Sequence, residues 1–129
     1  MAAGTGAGRG RHALVVDDEP GVLDLVAALL RQAGWEVATA TGGRDALERL
    51  RGANYDLVLA DMRMPDGSGE DLYRAVASER GELTERFLFM TGDTANPEAW
   101  RFIEATHASV IEKPFTAQAL LSAVERVAA

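Results

Sequence analysis

A chain of 129 residues suits one domain, large enough to bury roughly two thirds of the surface its unfolded form exposes. Its 20 acidic side chains against 13 basic ones leave a net charge of -7, which argues against a domain that grips nucleic acid by its phosphates and favours cations and proteins as partners. The absence of cysteine excludes a disulfide framework and a thiolate zinc site, and no apolar stretch approaches the roughly 18 residues needed to cross a bilayer; the best, Val22 to Leu30, is short and broken by Asp24.

Residues 1–12 are rich in Gly, Ala and Arg without the apolar core of a secretory signal, so they read as a flexible lead-in or linker, with 13–129 as the folded domain. Ala13 to Val16 is apolar and partly β-branched, a strand, and after Pro20 the apolar positions become Val22, Leu25, Val26, Leu29 and Leu30, the spacing of a helix. Ala33 and Gly34 stop it. Trp35 to Thr39 predicts a second strand and Arg44 to Arg51 a second helix; Asp56 to Ala60 predicts the third strand, nearly continuous in apolar residues. A turn-rich segment, Met64 to Gly69, leads to a third helix with Leu72, Tyr73 and Val76 on its apolar side. Phe87 to Met90 is a fourth strand. Asn96, Pro97 and Glu98 supply an amide cap, a first-turn proline and a first-turn acid for a helix to about Ala105. Ser109 to Ile111 is a fifth strand, and Ala117, Leu120, Leu121, Val124 and Val127 keep helical spacing to the end.

Strict alternation with short connections implies parallel strands joined by right-handed crossovers, and apolar strands imply a sheet covered on both faces. The prediction is an α/β, doubly wound, five-stranded parallel sheet of order 2-1-3-4-5, a flavodoxin-like three-layer sandwich, with its switch point between strands one and three. Those two strands deliver Asp17 with Asp18, and Asp61; strands four and five deliver Thr91 and Lys113 to the same edge.

Carboxylates gathered there repel by roughly 4 kcal/mol at about 4 Å and an effective dielectric of 20, so something must neutralise them. A hard divalent cation with oxygen ligands does so, and Mg²⁺ leaves room for phosphate oxygens; His12 and His107 are too isolated to favour a softer metal. Asp61 has two roles open to it, as a metal ligand or as a nucleophile forming an acyl phosphate. Lys113 offers a cation and Thr91 a hydroxyl to the oxygens of a transferring phosphoryl group. Taken singly, each of these has an ordinary structural role: acids between strand and helix serve as N-caps, Asp61 can open a turn at Pro65 to Gly67, and a lysine before proline is usually solvated. Their order along one chain favours the shared site.

At these residues the chain resembles the receiver domain of two-component response regulators. Leu14 to Glu19, reading L-V-V-D-D-E, is similar to that family's first strand and acidic pair; Asp61 in D-M-R-M-P-D-G-S-G to its phosphoacceptor; Thr91 before Gly92 to its switch hydroxyl; and Lys113-Pro114-Phe115 to its K-P-F, whose Lys-Pro bond is usually cis. The resemblance covers about Arg11 to Val127. It implies that the phosphohistidine of a histidine kinase or phosphotransfer domain donates to Asp61 with Mg²⁺ in the pocket. Asp18 would bind the metal directly, Asp17 through water, and the backbone carbonyl of Arg63 would complete the protein ligands. The implied product is a phosphorylation switch rather than an enzyme acting on other molecules, passing its state to a downstream protein.

Three positions depart from, or tune, that pattern. Three residues before Lys113, where the family commonly has Tyr or Phe, stands Val110, which implies muted switching or switching carried by the Thr91 and Lys113 loops. Arg63 and Asp93, two residues beyond Asp61 and Thr91, are of opposite charge and are expected to approach each other and screen water from the phosphoryl group. T-G-D-T at 91–94 and V-I-E-K-P-F at 110–115 resemble receivers of hybrid sensor histidine kinases, so the expected setting is cytoplasmic, as part of a membrane-bound hybrid kinase or as a stand-alone receiver, with no membrane contact by this segment. The competing reading is an aspartyl-nucleophile, Mg²⁺-dependent phosphatase resembling the haloacid dehalogenases. Those enzymes carry a second Asp two residues after the nucleophile, where this chain has Arg63 after Asp61 and Glu19 after Asp17.

Overall fold

The computed structural model describes residues 10–63, 69–92 and 96–128. Most of the lead-in (1–9), most of the turn-rich segment (64–68, with Pro65 and Gly67) and Asp93 with Thr94 lie outside them.

Five strands and five α-helices alternate: β1 His12–Val16, α1 Pro20–Gln32, β2 Glu36–Ala40, α2 Gly43–Gly52, β3 Leu57–Asp61, α3 Gly69–Glu79, β4 Phe87–Thr91, α4 Pro97–Thr106, β5 Ser109–Glu112 and α5 Ala117–Ala128. All neighbouring strands are parallel and lie in the order β2-β1-β3-β4-β5, the predicted topology. A 3₁₀ segment, Gly81–Arg86, between α3 and β4 was not predicted; Leu83 is its buried residue.

Period-two alternation splits the strands between two cores. Leu14 and Val16, Val58 and Ala60, and Phe87 and Phe89 face the layer of α2, α3 and α4; Ala13 and Val15, Leu57 and Leu59, and Leu88 and Met90 face α1 and α5. The first core is aromatic at its centre. Tyr73 stands edge-on to Phe87 and Phe102 with centroids 5.4 and 5.2 Å apart, and Phe89 stands edge-on to Phe102 at 5.5 Å. Such contacts contribute about 0.5–1.5 kcal/mol each beyond the area they bury.

The helix ends follow from local chemistry. Gly34, at φ +99°, turns the chain out of α1: its N–H donates to the Arg31 carbonyl and the Trp35 N–H to that of Leu30. That is a Schellman closure, completed by Trp35 and Leu30 burying in the same core. Asn96 caps α4 as expected, its Oδ1 accepting from the N–H groups of Glu98 (2.9 Å) and Ala99 (3.4 Å), with Pro97 in the first turn. Thr116 Oγ1 accepts from the Ala119 N–H to open α5. Spare carbonyls at the end of α2 are met by Arg80, just after α3, whose guanidinium donates to the backbone oxygens of Leu50 and Ala53 and also to the Asn54 side-chain oxygen.

The helical spacing is correct on α1 but its buried face is rotated from expectation. Leu23, Val26, Ala27 and Leu30 are buried, while Leu25 is 55% exposed. Small Ala27 lets the helix approach the sheet on a stripe that a reading of large side chains alone overlooks. Trp35 is buried beneath Arg11, whose guanidinium carbon lies 5.0 Å from the ring centroid.

Candidate functional site

Because all five strands run in one direction, their C-terminal ends share one edge. Asp61 is the last residue of β3 and Thr91 the last of β4; Asp17 directly follows β1 and Lys113 directly follows β5. The local backbone ties these ends together. Asp17 N–H donates to Ala40 O at 3.1 Å, Met62 N–H to Met90 O at 2.9 Å, and Lys113 N–H to Thr91 O at 2.7 Å.

At the switch point, Asp17 is fully buried, Asp61 is 7% exposed and Thr91 is 4% exposed. These are the only buried polar or charged residues among those described. The Lys113 ammonium joins the two acids, 3.0 Å from Asp17 Oδ2 and 3.1 Å from Asp61 Oδ2. Each acid's other oxygen accepts from a backbone N–H two residues on: Asp17 Oδ1 from Glu19 at 2.9 Å, and Asp61 Oδ1 from Arg63 at 3.2 Å. The Lys113–Pro114 bond is cis, as the resemblance implies. Phe115 packs half-buried against the α1 and α5 core.

Burial acts most strongly on Asp61, pushing its carboxyl above the usual aspartate range. The Arg63 N–H and Lys113 oppose that push and the charge of Asp17 adds to it. Burial also acts most strongly on Lys113, pulling the ammonium down, but the hydrogen bonds and charges of Asp17 and Asp61 together outweigh it and hold the lysine above its usual value. The pair is therefore a compensated one, with the carboxylate carrying the strain of burial.

Oxygens of Asp17, Glu19 and Asp61 lie within 4.8 Å of one another. Three carboxylates against one ammonium leave a surplus of two negative charges in an all-oxygen donor set, which fits a hard divalent cation. Asp18, expected as a direct ligand, lies outside this three-acid cluster; Glu19, exposed like Asp18, belongs to it, its Oε1 3.9 Å from Lys113 Nζ. The signal for Glu19 was the acidic run itself: the Asp17 carboxylate holds the Glu19 N–H, and that turn brings the second residue on, rather than the next one, towards the pocket.

Val110 sits half-buried on β5, paired in register with Phe89 and packed against the aromatic core. Arg63 is exposed at the pocket mouth; its expected partner Asp93 lies outside the described residues. Trp100, on α4, is half-buried against the core. No helix among the described residues is long and apolar enough to cross a membrane.

The model of the response regulator receiver domain matches residues 13–125. Chemotaxis protein CheY of Pseudomonas aeruginosa is 36% identical over 118 residues, covering 88% of this chain and 93% of that protein. The probable transcriptional regulatory protein TcrX of Mycobacterium tuberculosis is 34% identical over 103 residues, which cover 80% of this chain but only 43% of TcrX. Among solved structures, CheY4 of Vibrio cholerae superposes with a TM-score of 0.82 at 32% identity, over 91% of this chain and 98% of that one. TrrA of Thermotoga maritima, solved in complex with Mg²⁺-BeF, gives a TM-score of 0.76 at 26% identity, over 91% of this chain and 98% of that one. A sheet of order 2-1-3-4-5 that brings buried acids and a lysine to one edge, matched along nearly its whole length, makes this chain a member of the response regulator receiver domain family, the CheY-like phosphoacceptors of two-component signalling.

Proposed function

We propose that Asp61 is the residue that takes the phosphoryl group, from a phosphohistidine on a histidine kinase or phosphotransfer protein, and that Mg²⁺ is required. The observation that carries this is the shared ammonium: Lys113 bridges the two buried acids at 3.0 and 3.1 Å, so any group that joins Asp61 enters a site already built around a fixed cation. Attack by an Asp61 oxygen on phosphorus forms an acyl phosphate and expels the donor imidazole, which takes up a proton. From the strand ends, Lys113 and the Thr91 hydroxyl would meet the oxygens of the new phosphate. Asp17, Glu19 and Asp61 would hold the Mg²⁺, with Asp18 and the Arg63 carbonyl as the further ligands the resemblance suggests; the ion supplies charge neutralisation for the incoming phosphate.

The domain then acts as a switch, not as an enzyme on other substrates, and in this reading it works in the cytoplasm, with a hybrid histidine kinase as its setting and a downstream protein as its reader. With Val110 in place of an aromatic lever, switching is carried by the backbone loops that hold Thr91 and Lys113, whose strands are joined by the Lys113 N–H to Thr91 O bond. Arg63 and Asp93 tune the lifetime of the product.

Intact mass after incubation with Mg²⁺ and acetyl phosphate tests the acceptor. One phosphoryl adduct in the wild type, absent in Asp61→Asn, is expected; an adduct retained in Asp61→Asn, or steady turnover of phosphate esters, defeats the reading.

A further inference from the structure

Gly69, the first residue of α3, lies against the backbone of the residue that carries the reactive carboxylate. A Cβ built on it would stand 2.6 Å from the Asp61 carbonyl oxygen, 3.2 Å from Met62 Cα and 3.1 Å from Phe89 Cε1. The contact with Asp61 is to backbone, which cannot swing aside as a side chain could. Phe89 has little room to yield either, because it is fully buried with its ring against Phe87 and Phe102. The Gly69 N–H donates to Met62 O at 3.0 Å, and the Met62 N–H donates to Met90 O at 2.9 Å. Asp61 is also the last residue of β3 paired to β4, opposite Met90. The end of β3 is therefore held between β4 and the first turn of α3, and the close approach on the α3 side exists only because residue 69 has no side chain.

We infer that Gly69 is a positioning residue for Asp61: its missing side chain seats α3 on the Asp61–Met62 backbone and so sets where the Asp61 carboxylate stands relative to Asp17 and Lys113. The inference rests on Asp61 being the acceptor. A methyl group at 69 must open the 2.6 Å gap to the 3.4 Å of ordinary contact, a displacement of about 0.8 Å. A misplacement of about 1 Å at a reacting group costs on the order of a hundredfold in rate. Gly69→Ala is therefore expected to take the phosphoryl group from acetyl phosphate about 10- to 100-fold more slowly per folded molecule, and to bind Mg²⁺ more weakly.

The comparison is with Val76→Ala, a buried position on the same helix, which lowers stability without touching Asp61. Rates and Mg²⁺ affinities are measured by intact mass and calorimetry at temperatures where both variants are folded. Slow transfer in Gly69→Ala with a rate within twofold of wild type in Val76→Ala supports the seat. Equal rates in all three proteins, or equal slowing in both variants, overturn it.

A second measurement needs no variant. In the wild type, loading with Mg²⁺ and beryllofluoride should raise protection of the Gly69 amide against hydrogen exchange by about tenfold more than that of the Val76 amide, since coupling between two sites is reciprocal. Equal changes at both amides overturn the proposal even where Gly69→Ala does not fold. Absence of any wild-type adduct is a separate failure, that of the acceptor itself, and Mg²⁺ affinity alone then decides whether Gly69 positions Asp61.

Discussion

Replacing Lys113 with methionine keeps much of the side-chain volume and removes the one charge shared by two buried acids. Each contact, at 3.0 and 3.1 Å, carries a gross attraction of about 5.5 kcal/mol at an effective dielectric of 20. Most of that is offset by the desolvation of the ammonium and carboxylates, and deleting one partner of a buried pair costs about 3–5 kcal/mol. The acids left behind, with oxygens within 4.8 Å, repel by about 3.5 kcal/mol at the same dielectric, a figure of the same size. For a domain of this length the loss lowers Tm by about 10–20 °C. Two rescues distinguish lost charge from lost packing. Mg²⁺ restores positive charge to the acids, and a ligand at a hundred times its Kd adds about 2.7 kcal/mol, so the Mg²⁺-induced rise in Tm should be larger in Lys113→Met than in the wild type. Lowering the pH lets Asp61 take up a proton and removes one of the repelling charges, so the deficit should shrink in acid. Thermal unfolding followed by tryptophan fluorescence, with and without Mg²⁺ from neutral to acidic pH, is the assay. A variant within about 1 kcal/mol of wild type without Mg²⁺, or a deficit indifferent to both Mg²⁺ and pH, refutes the reasoning.

Asp61→Asn should lose the phosphoryl adduct and, free of metal at neutral pH, unfold at a higher temperature than the wild type. Asp61's folded value lies above its unfolded one, so the ionised acid destabilises the fold, and this group's contribution improves as pH falls from its folded value to the ordinary aspartate value. The Asn variant should lack that acid-side gain; a lower Tm at neutral pH would count against it. Lys113 is raised, so its contribution is fully present below the ordinary lysine value and disappears as pH rises through the raised one. An alkaline titration of Tm should therefore show a loss in the wild type that Lys113→Met lacks. Asn96→Ala removes the cap of α4 and should cost about 1 kcal/mol, a fall of about 3–4 °C in Tm, with faster amide exchange at Glu98 and Ala99. Leu25→Ser, at an exposed position of α1, should leave stability within about 0.5 kcal/mol; a larger loss in chemical denaturation would mean that Leu25 is packed.

The topology was legible because alternation and apolar continuity are properties of whole segments, and the site was legible because a parallel sheet sends every strand's last residue to one edge. What escaped the sequence depends on small residues and on turns. Ala27 and Leu23 take the buried stripe of α1 that Leu25 was expected to share, since close helix approach rewards a small side chain that hydropathy ranks low. Glu19 joins the acidic cluster through a turn after β1 shaped by its N–H hydrogen bond to Asp17; the acidic run offered the residue, but only the turn selects it. The seat of Gly69 on Asp61 was equally hidden: the glycine looked like a turn residue, and only the distance to the neighbouring backbone gives it another role.

The placement of the two tryptophans has a practical outcome. Trp35 is sealed at the start of β2, beneath Arg11 and at the end of the sheet away from Asp61, whereas Trp100 rides on α4 against the aromatic core on the other face. The molecule thus carries a built-in pair of optical reporters, one recording whether the sheet is intact and the other recording what α4 does. With each silenced in turn by Trp→Phe, unfolding and signalling can be watched as separate channels in one label-free sample.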